Sequence, residues 1–249
     1  MITIKSAREI DTMARAGRIV CDTLALMQEI VRPGMSTEEL DREAERFIRS
    51  HPGATPSFKG LYGFPKTLCI SVDDEIVHGI PSTKKLLHER SIVSVDVGVC
   101  VDGLHADSAT TIPVGTIAPD TQRLLDVTRA SLAAGIAAAV AGNHVGDIGY
   151  AVQSVAETAG FGVVRELVGH GIGTRFHEEP QVPNFGSPKR GAQLRPGMTI
   201  AIEPMITMGS PVTRTLRDKW TVVTQDGSLA AHFEHTVAIT DDGPRILTR

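Results

Sequence analysis

The sequence predicts an α+β fold with an antiparallel sheet core, on three observations. Helix-like and strand-like segments come in runs, not in strict alternation, which is the α+β pattern. Short turns join the strands within each run, as antiparallel neighbours allow. The order helix, break, helix, strands then occurs twice in 249 residues. That repeat is consistent with an internal duplication, although identity between the copies is low. No proline-rich or low-complexity linker interrupts the chain. Residues 1–249 are therefore expected to form one domain of two similar halves, about 1–115 and 116–249.

Each element has a local reason. Residues 6–31 carry Ile10, Met13, Ala14, Gly17, Val20, Cys21 and Leu24 at helical spacing. "RPGMS" ends that helix. Ser36 or Thr37 caps the next, with Glu38 and Glu39 in its first turn, and it runs to about Ser50. "HPGATPS" reads as a loop. Residues 91–101 and 104–114 are the clearest strands. Helices are then expected at 120–140 and 147–159, broken by "AGNHVGD", and further strands at 198–208, 220–224, 229–240 and 245–247.

Composition excludes several function classes. The net charge is −4 and no Lys/Arg cluster stands out, which argues against a nucleic-acid surface. The most apolar stretch, residues 132–142, is too short to cross a bilayer. Residues 1–13 lack the apolar core of an export signal. Cys21, Cys69 and Cys100 form no CxxC pair, so a reduced, cytoplasmic protein is expected.

The chemistry begins at "VDVGVCVDGLHADSATT", residues 95–111, where Asp96 and Asp107 interrupt runs that otherwise read as strand. Buried carboxylates are costly unless paired or metal-bound. With Asp102-Gly103 as the hairpin turn, Val101 faces Leu104, Gly98 faces Asp107 and Asp96 faces Ala109. Asp96 and Asp107 then share a face as diagonal neighbours, roughly 7 Å apart at Cβ, and Gly98 leaves space beside Asp107. A bound cation resolves their repulsion. Taken alone, the hairpin reads more readily as two exposed aspartates, or one capping a turn, than as a metal site.

"GHGIGTRFHEEP", residues 169–180, sets His170 and His177 among glycines, which permit close backbone approach. Either histidine alone reads as structural. "TIAIEPMI" places Glu203, and "AHFEHTVAIT" places Glu234, inside apolar strands, where carboxylates seldom lie unpaired. Four acids and a histidine suit a hard-to-borderline divalent cation.

These residues resemble the type I methionine aminopeptidases, of the short bacterial form and the "pita-bread" fold. The order Asp96, Asp107, His170, Glu203, Glu234 matches the family's metal ligands, and "VHGIP", "GHGIG", "FHEEP", "PGMTIAIEPM", "DKWTVVT" and "FEHT" match in sequence. The resemblance implies a pseudo-twofold antiparallel sheet core with helices on its outer face. It also implies two divalent cations (Co2+, Mn2+, Fe2+ or Zn2+) that activate water. Asp96 and Asp107 are expected on one metal, His170 and Glu203 on the second, with Asp107 and Glu234 bridging. Glu203 would shuttle the proton, His177 would hydrogen-bond the tetrahedral oxygen and His78 would contact the scissile amide. Phe58, Phe64, Cys69, Phe176 and Trp220 would form the methionine pocket, beside His78 and His177. The implied reaction is co-translational removal of N-terminal methionine before a small second residue. The expected setting is a ribosome-proximal monomer acting on nascent N-terminal peptides, without membrane or direct nucleic-acid contact.

The chain departs from the family pattern at Leu61, where an aromatic often lines the pocket entrance, and at Asp73, where asparagine is common. His232 stands where glutamine often precedes "FEH"; strand alternation puts it on the face of Glu234, with no deducible sign for its pKa shift. His51, His105 and His144 match no functional position. A prolidase-like enzyme and a metal-free peptide-binding relative are the rival readings.

Overall fold

The computed structural model describes residues 2–249. Its helices are α1 (Ala7–Ile30), α2 (Thr37–Arg49), α3 (Pro119–Ala138) and α4 (Val145–Thr158). The strands, in chain order, are β1 (Ala54–Pro56), β2 (Cys69–Val72), β3 (Glu75–Val77), β4 (Ile92–Val101), β5 (Leu104–Pro113), β6 (Gly162–Val163), β7 (Gly169–Gly171), β8 (Glu178–Val182), β9 (Thr199–Ile202), β10 (Met205–Thr207), β11 (Thr213–Thr215), β12 (Val222–Thr224), β13 (Ala230–His232), β14 (His235–Thr240) and β15 (Gly243–Ile246).

Capping sets the helix starts. Ser6 caps α1 in a reciprocal box with Glu9, and Ser36, not Thr37, caps α2 in the same way with Glu39. α3 opens on Pro119, whose missing N–H costs nothing in a first turn. α4 begins two residues earlier than the apolar spacing suggests, because the His144 N–H donates to Asp147 Oδ2 at 2.8 Å.

Every strand pairing among the described residues is antiparallel. β4 pairs along its whole length with β5, in the register Val101↔Leu104, Gly98↔Asp107, Asp96↔Ala109 that the Asp102-Gly103 turn dictates. β2 and β1 share its other edge. The "HPGATPS" segment is thus not wholly loop. β1 is three residues long and ends on a proline, too short for alternation to register and tolerated because it lies at the sheet's edge. A second sheet runs β15-β14-β9-β7-β8; two smaller ones are β13-β10-β6 and β11-β12-β3.

Alternation on β4 explains which face becomes chemical. Val93, Val95, Val97 and Val99 are fully buried in one cluster with Val20 and Met27 of α1 and Leu40 and Ile48 of α2. Ser94, Asp96, Gly98 and Cys100 therefore point to the opposite side of the sheet. On the other large core, Leu124, Leu125 and Leu132 of α3 and Ile148 of α4 pack on Ile200, Ile202, Val237 and Ile239.

Two expected strands are broken at their acids. The 198–208 segment divides at Glu203–Pro204 and the 229–240 segment at Phe233–Glu234. Pro204 has no N–H for the ladder, and the Glu234 N–H turns to Ala109 O of β5 at 3.0 Å. The register is the same on both sides of the break, Ile202↔His235 before it and Met205↔His232 after it. Glu203 is thereby set opposite Glu234.

Candidate metal centre and substrate cavity

The acidic hairpin, the break between β9 and β10 and the glycine-flanked β7 meet at one cavity of about 230 Å³. Asp96 and Asp107 enter from β4 and β5. The Asp107 backbone is braced from across the molecule: its N–H donates to Thr236 Oγ1 at 2.9 Å, and that hydroxyl donates to Asp107 O at 2.8 Å. Glu203 and Glu234 enter from the paired strand breaks. Asn184 Nδ2 holds Glu203 O at 3.0 Å, and Ser108 Oγ donates to Glu234 O.

His170 sits on β7 between two glycines that tolerate no side chain. A Cβ on Gly169 would lie 2.3 Å from Ala201 O, and one on Gly171 2.2 Å from Glu179 O. The His170 Nδ1 lies 2.8 Å from Gly171 O and has that carbonyl to donate to, which leaves Nε2 for the cavity. Nε2 is 3.7 Å from Glu203 Oε1. One donor atom each from Asp107, His170 and Glu234 lies within 4.8 Å of the others. Asp96 joins through Asp107, its diagonal neighbour on the hairpin.

The electrostatics are those of a cation site. Burial, with the neighbouring carboxylates, pushes Asp107, Glu203 and Glu234 well above the ordinary carboxylate range, and burial raises Asp96 to about 7. Burial drives His170 down to about 3, so its ring is a neutral nitrogen donor. Asp96 Oδ1, Asp107 Oδ1 and Glu234 Oε1 are buried without a hydrogen-bond partner. Buried polar atoms are rarely orphaned. A divalent cation with oxygen and nitrogen ligands satisfies all three, so the donor set fits the metal its composition implies.

The apolar wall of the cavity is equally defined. Phe58, Phe64, Cys69, His78, Phe176, His177 and Trp220 all line it, together with the five donors. Phe58 meets Phe176 edge-on at 5.2 Å, and Phe64 meets Trp220 edge-on at 5.1 Å. The space at Gly98 is not open beside Asp107: a Cβ there would lie 2.7 Å from Phe176 Cε2 and 3.1 Å from Phe58 Cε1. The glycine admits the aromatic wall. Burial and nearby carboxylates push the Cys69 thiol well up, so it is a packing group and not a nucleophile. His78 has a left-handed backbone, φ 60°, and burial lowers its ring to about 4, with His177 adding to the effect.

The three departures separate. Asp73 is a turn residue at φ 55° whose carboxylate accepts from Ser91 Oγ and the Ile92 N–H; like asparagine, it tolerates that conformation. Leu61 stays on the cavity wall, and Tyr62 beside it lines the cavity too. His232 is buried, and the register kept across the strand break leaves it on the side of Glu203 and Glu234, as alternation places it. Its Nε2 lies 3.9 Å from Glu203 Oε2, and neither ring nitrogen has a hydrogen-bond partner. Burial, with His78 nearby, lowers His232 to about 3. Among the histidines without a family role, His105 bonds Ser57 Oγ at 2.8 Å and His51 bonds Phe47 O at 3.0 Å. Sequence reasoning did not name Tyr62, Val77, Leu167, Val168 and Met205 as lining. Only Tyr62, an aromatic between glycines at a loop apex, carried a signal.

Comparison with known proteins agrees with this arrangement. Residues 11–241 match the model of metallopeptidase family M24. The chain is 53% identical over 248 residues to the methionine aminopeptidase of Clostridium perfringens, covering 100% of this chain and 99% of that one. It is 50% identical to methionine aminopeptidase 1 of Bacillus subtilis, with both chains fully covered. The crystal structure of the Thermotoga maritima methionine aminopeptidase superimposes with a TM-score of 0.98 at 41% identity, covering 100% of both chains. The antiparallel sheets and packed helices are therefore the pita-bread architecture, and the chain belongs to metallopeptidase family M24, among its methionine aminopeptidases.

Proposed function

We propose that this chain removes the N-terminal methionine from nascent proteins whose second residue is small, by metal-dependent hydrolysis of the first peptide bond. The observation that carries the reading is the convergence of four carboxylates and His170 at an aromatic cavity, with three buried carboxylate oxygens unpartnered. The proposal includes two divalent cations drawn from Co2+, Mn2+, Fe2+ and Zn2+, and residues 1–249 acting as one catalytic domain of two similar halves. It also includes a cytoplasmic monomer working near the ribosome. No helix among the described residues is long and apolar enough to cross a membrane.

Asp96 and Asp107 would hold one cation and His170 and Glu203 the other, with Asp107 and Glu234 shared. When bound, the metal neutralises the carboxylates and lowers the pKa of water at the scissile carbonyl. The remaining work falls to the chain's own side chains. Phe58, Phe64, Cys69, Phe176 and Trp220 enclose the methionine side chain, whose thioether suits aromatic and sulfur neighbours. The Glu203 carboxylate takes the proton of the attacking water and passes it to the leaving amine. His177 donates to the oxygen of the tetrahedral intermediate, and His78 contacts the scissile amide.

The test compares Met-Ala-Ser with Ala-Pro-Ala on metal-stripped and reconstituted protein. Metal-dependent release of methionine alone supports the reading. Preferential cleavage before proline would replace it with the prolidase reading, and no cleavage of either peptide would favour a binding protein.

A further inference from the structure

We propose that Tyr62 is a positioning residue that fixes the ring and tautomer of His177. Tyr62 stands at the apex of a tight turn between Gly60 and Gly63, both at positive φ. The turn is closed by the Gly60 N–H to Phe64 O at 2.8 Å and the Phe64 N–H to Leu61 O at 2.9 Å. Tyr62 itself has φ 51°, a left-handed conformation that costs a bulky residue about 1–3 kcal/mol and persists where the surroundings impose it. The side chain is 71% exposed, so burial of apolar area does not explain the strain.

Its partner is His177. The two rings stack at 5.7 Å between centroids with an interplanar angle of 16°, and the Tyr62 hydroxyl lies 3.4 Å from His177 Nδ1. Leu61 packs instead with the apolar wall beside Phe64 and Trp220. The two neighbours therefore divide the work: one fills the pocket and the other covers the histidine. A phenol is the better acid and a neutral imidazole nitrogen the better base, so the hydroxyl donates to Nδ1. The ring proton is then on Nε2, the nitrogen left for the cavity. This assignment rests on the reading of His177 as a donor to the substrate oxygen, which requires an Nε2–H. Stacking holds the plane of the ring while the hydroxyl selects the tautomer.

The experiment uses full-length enzyme labelled with 15N-histidine and reconstituted with diamagnetic Zn2+. Nitrogen chemical shifts of His177, assigned by their loss in His177→Ala, report the tautomer. Wild type is expected in the Nε2–H form, and Tyr62→Phe, which keeps the stacking, in a mixture. In parallel, Tyr62→Phe should lower kcat on Met-Ala-Ser by roughly 3- to 10-fold, the size of one neutral hydrogen bond, with KM little changed. In a His177→Ala background the same substitution should have no further effect. Identical tautomer populations in wild type and Tyr62→Phe would overturn the proposal, as would an equal loss of kcat in both backgrounds. If wild type fails to hydrolyse Met-Ala-Ser at all, the functional reading falls, while the tautomer comparison still decides what Tyr62 does to His177.

Discussion

Replacing Lys5 by methionine tests how the N-terminal segment supports the loop that carries His177. Lys5 Nζ lies 2.5 Å from Glu178 Oε2, with the two side chains only 2% and 1% exposed. The Lys5 N–H donates to Gly197 O at 2.7 Å, fixing the segment in place. On the other side, Glu178 Oε1 accepts from the Arg175 N–H at 3.2 Å and Thr174 Oγ1 at 3.4 Å, which ties down the residues just before His177. A Cβ at Gly173 would lie 2.3 Å from Lys5 Cε, so the lysine reaches Glu178 only because that position is glycine. Lys5→Met keeps the length of the stem but strands a buried carboxylate. Breaking a buried pair from one side costs about 3–5 kcal/mol, whereas replacing both partners by apolar groups is often neutral. For a chain of this size that is a fall of roughly 6–20 °C in Tm, at 2–4 °C per kcal/mol.

The pH dependence gives the result a sign. Burial pushes the Glu178 carboxyl up, but the Lys5 ammonium and the Arg175 amide outweigh it and hold it below its ordinary value of 4.5. A lowered carboxyl contributes stability that is present above the unfolded pKa and is lost as pH falls through the folded one. Without Lys5 the carboxyl rises, so the deficit of Lys5→Met should be greatest at pH 7 and shrink towards about pH 4, near the unfolded value. Thermal melts at both pH values read this directly, with Lys5→Met/Glu178→Met recovering most of the loss at pH 7. A deficit under about 1 kcal/mol at pH 7, below the range for breaking a buried pair, would refute the argument. So would a deficit equal at pH 7 and pH 4, or a double variant no better than the single.

Glu203→Gln, which keeps the shape and removes the basic oxygen, should lower kcat on Met-Ala-Ser by about 10²- to 10⁴-fold, the range for a general acid–base group, with the circular-dichroism spectrum unchanged; wild-type turnover would sink its role. Chelation should abolish activity, and added divalent metal should restore it; full turnover in protein shown by elemental analysis to be metal-free would contradict the metal site. Met-Ala peptides should be cleaved far faster than Met-Lys peptides, and comparable rates would show that the small-residue specificity is wrong. His232→Gln should leave the acidic limb of the kcat/KM profile where it is. Burial lowers His232 to about 3, so its ring is neutral across the working range; a displaced limb would show otherwise.

Much of the candidate site is set by local rules that act within a few residues. Asp102-Gly103 fixes the turn, the turn fixes the register, and a period of two then places Asp96, Gly98 and Asp107 on one face, as the β4–β5 pairing has them. The donor set is legible for a similar reason: carboxylates within apolar runs need compensation, whatever the fold around them. Tertiary structure decided the rest, because it depends on segments distant in sequence. Glu203 and Glu234 are opposite one another because two segments about 30 residues apart pair in one register, Ile202↔His235 and Met205↔His232. His232 lies on the face that alternation gives it, but only the pairing of the two segments brings its Nε2 to 3.9 Å from Glu203 Oε2. The Asp107 backbone is held by Thr236, 129 residues away, and Tyr62 meets His177 across 115 residues. No periodicity carries information over such separations. They are fixed when the sheets pack and each buried polar group must find the partner that three-dimensional proximity provides.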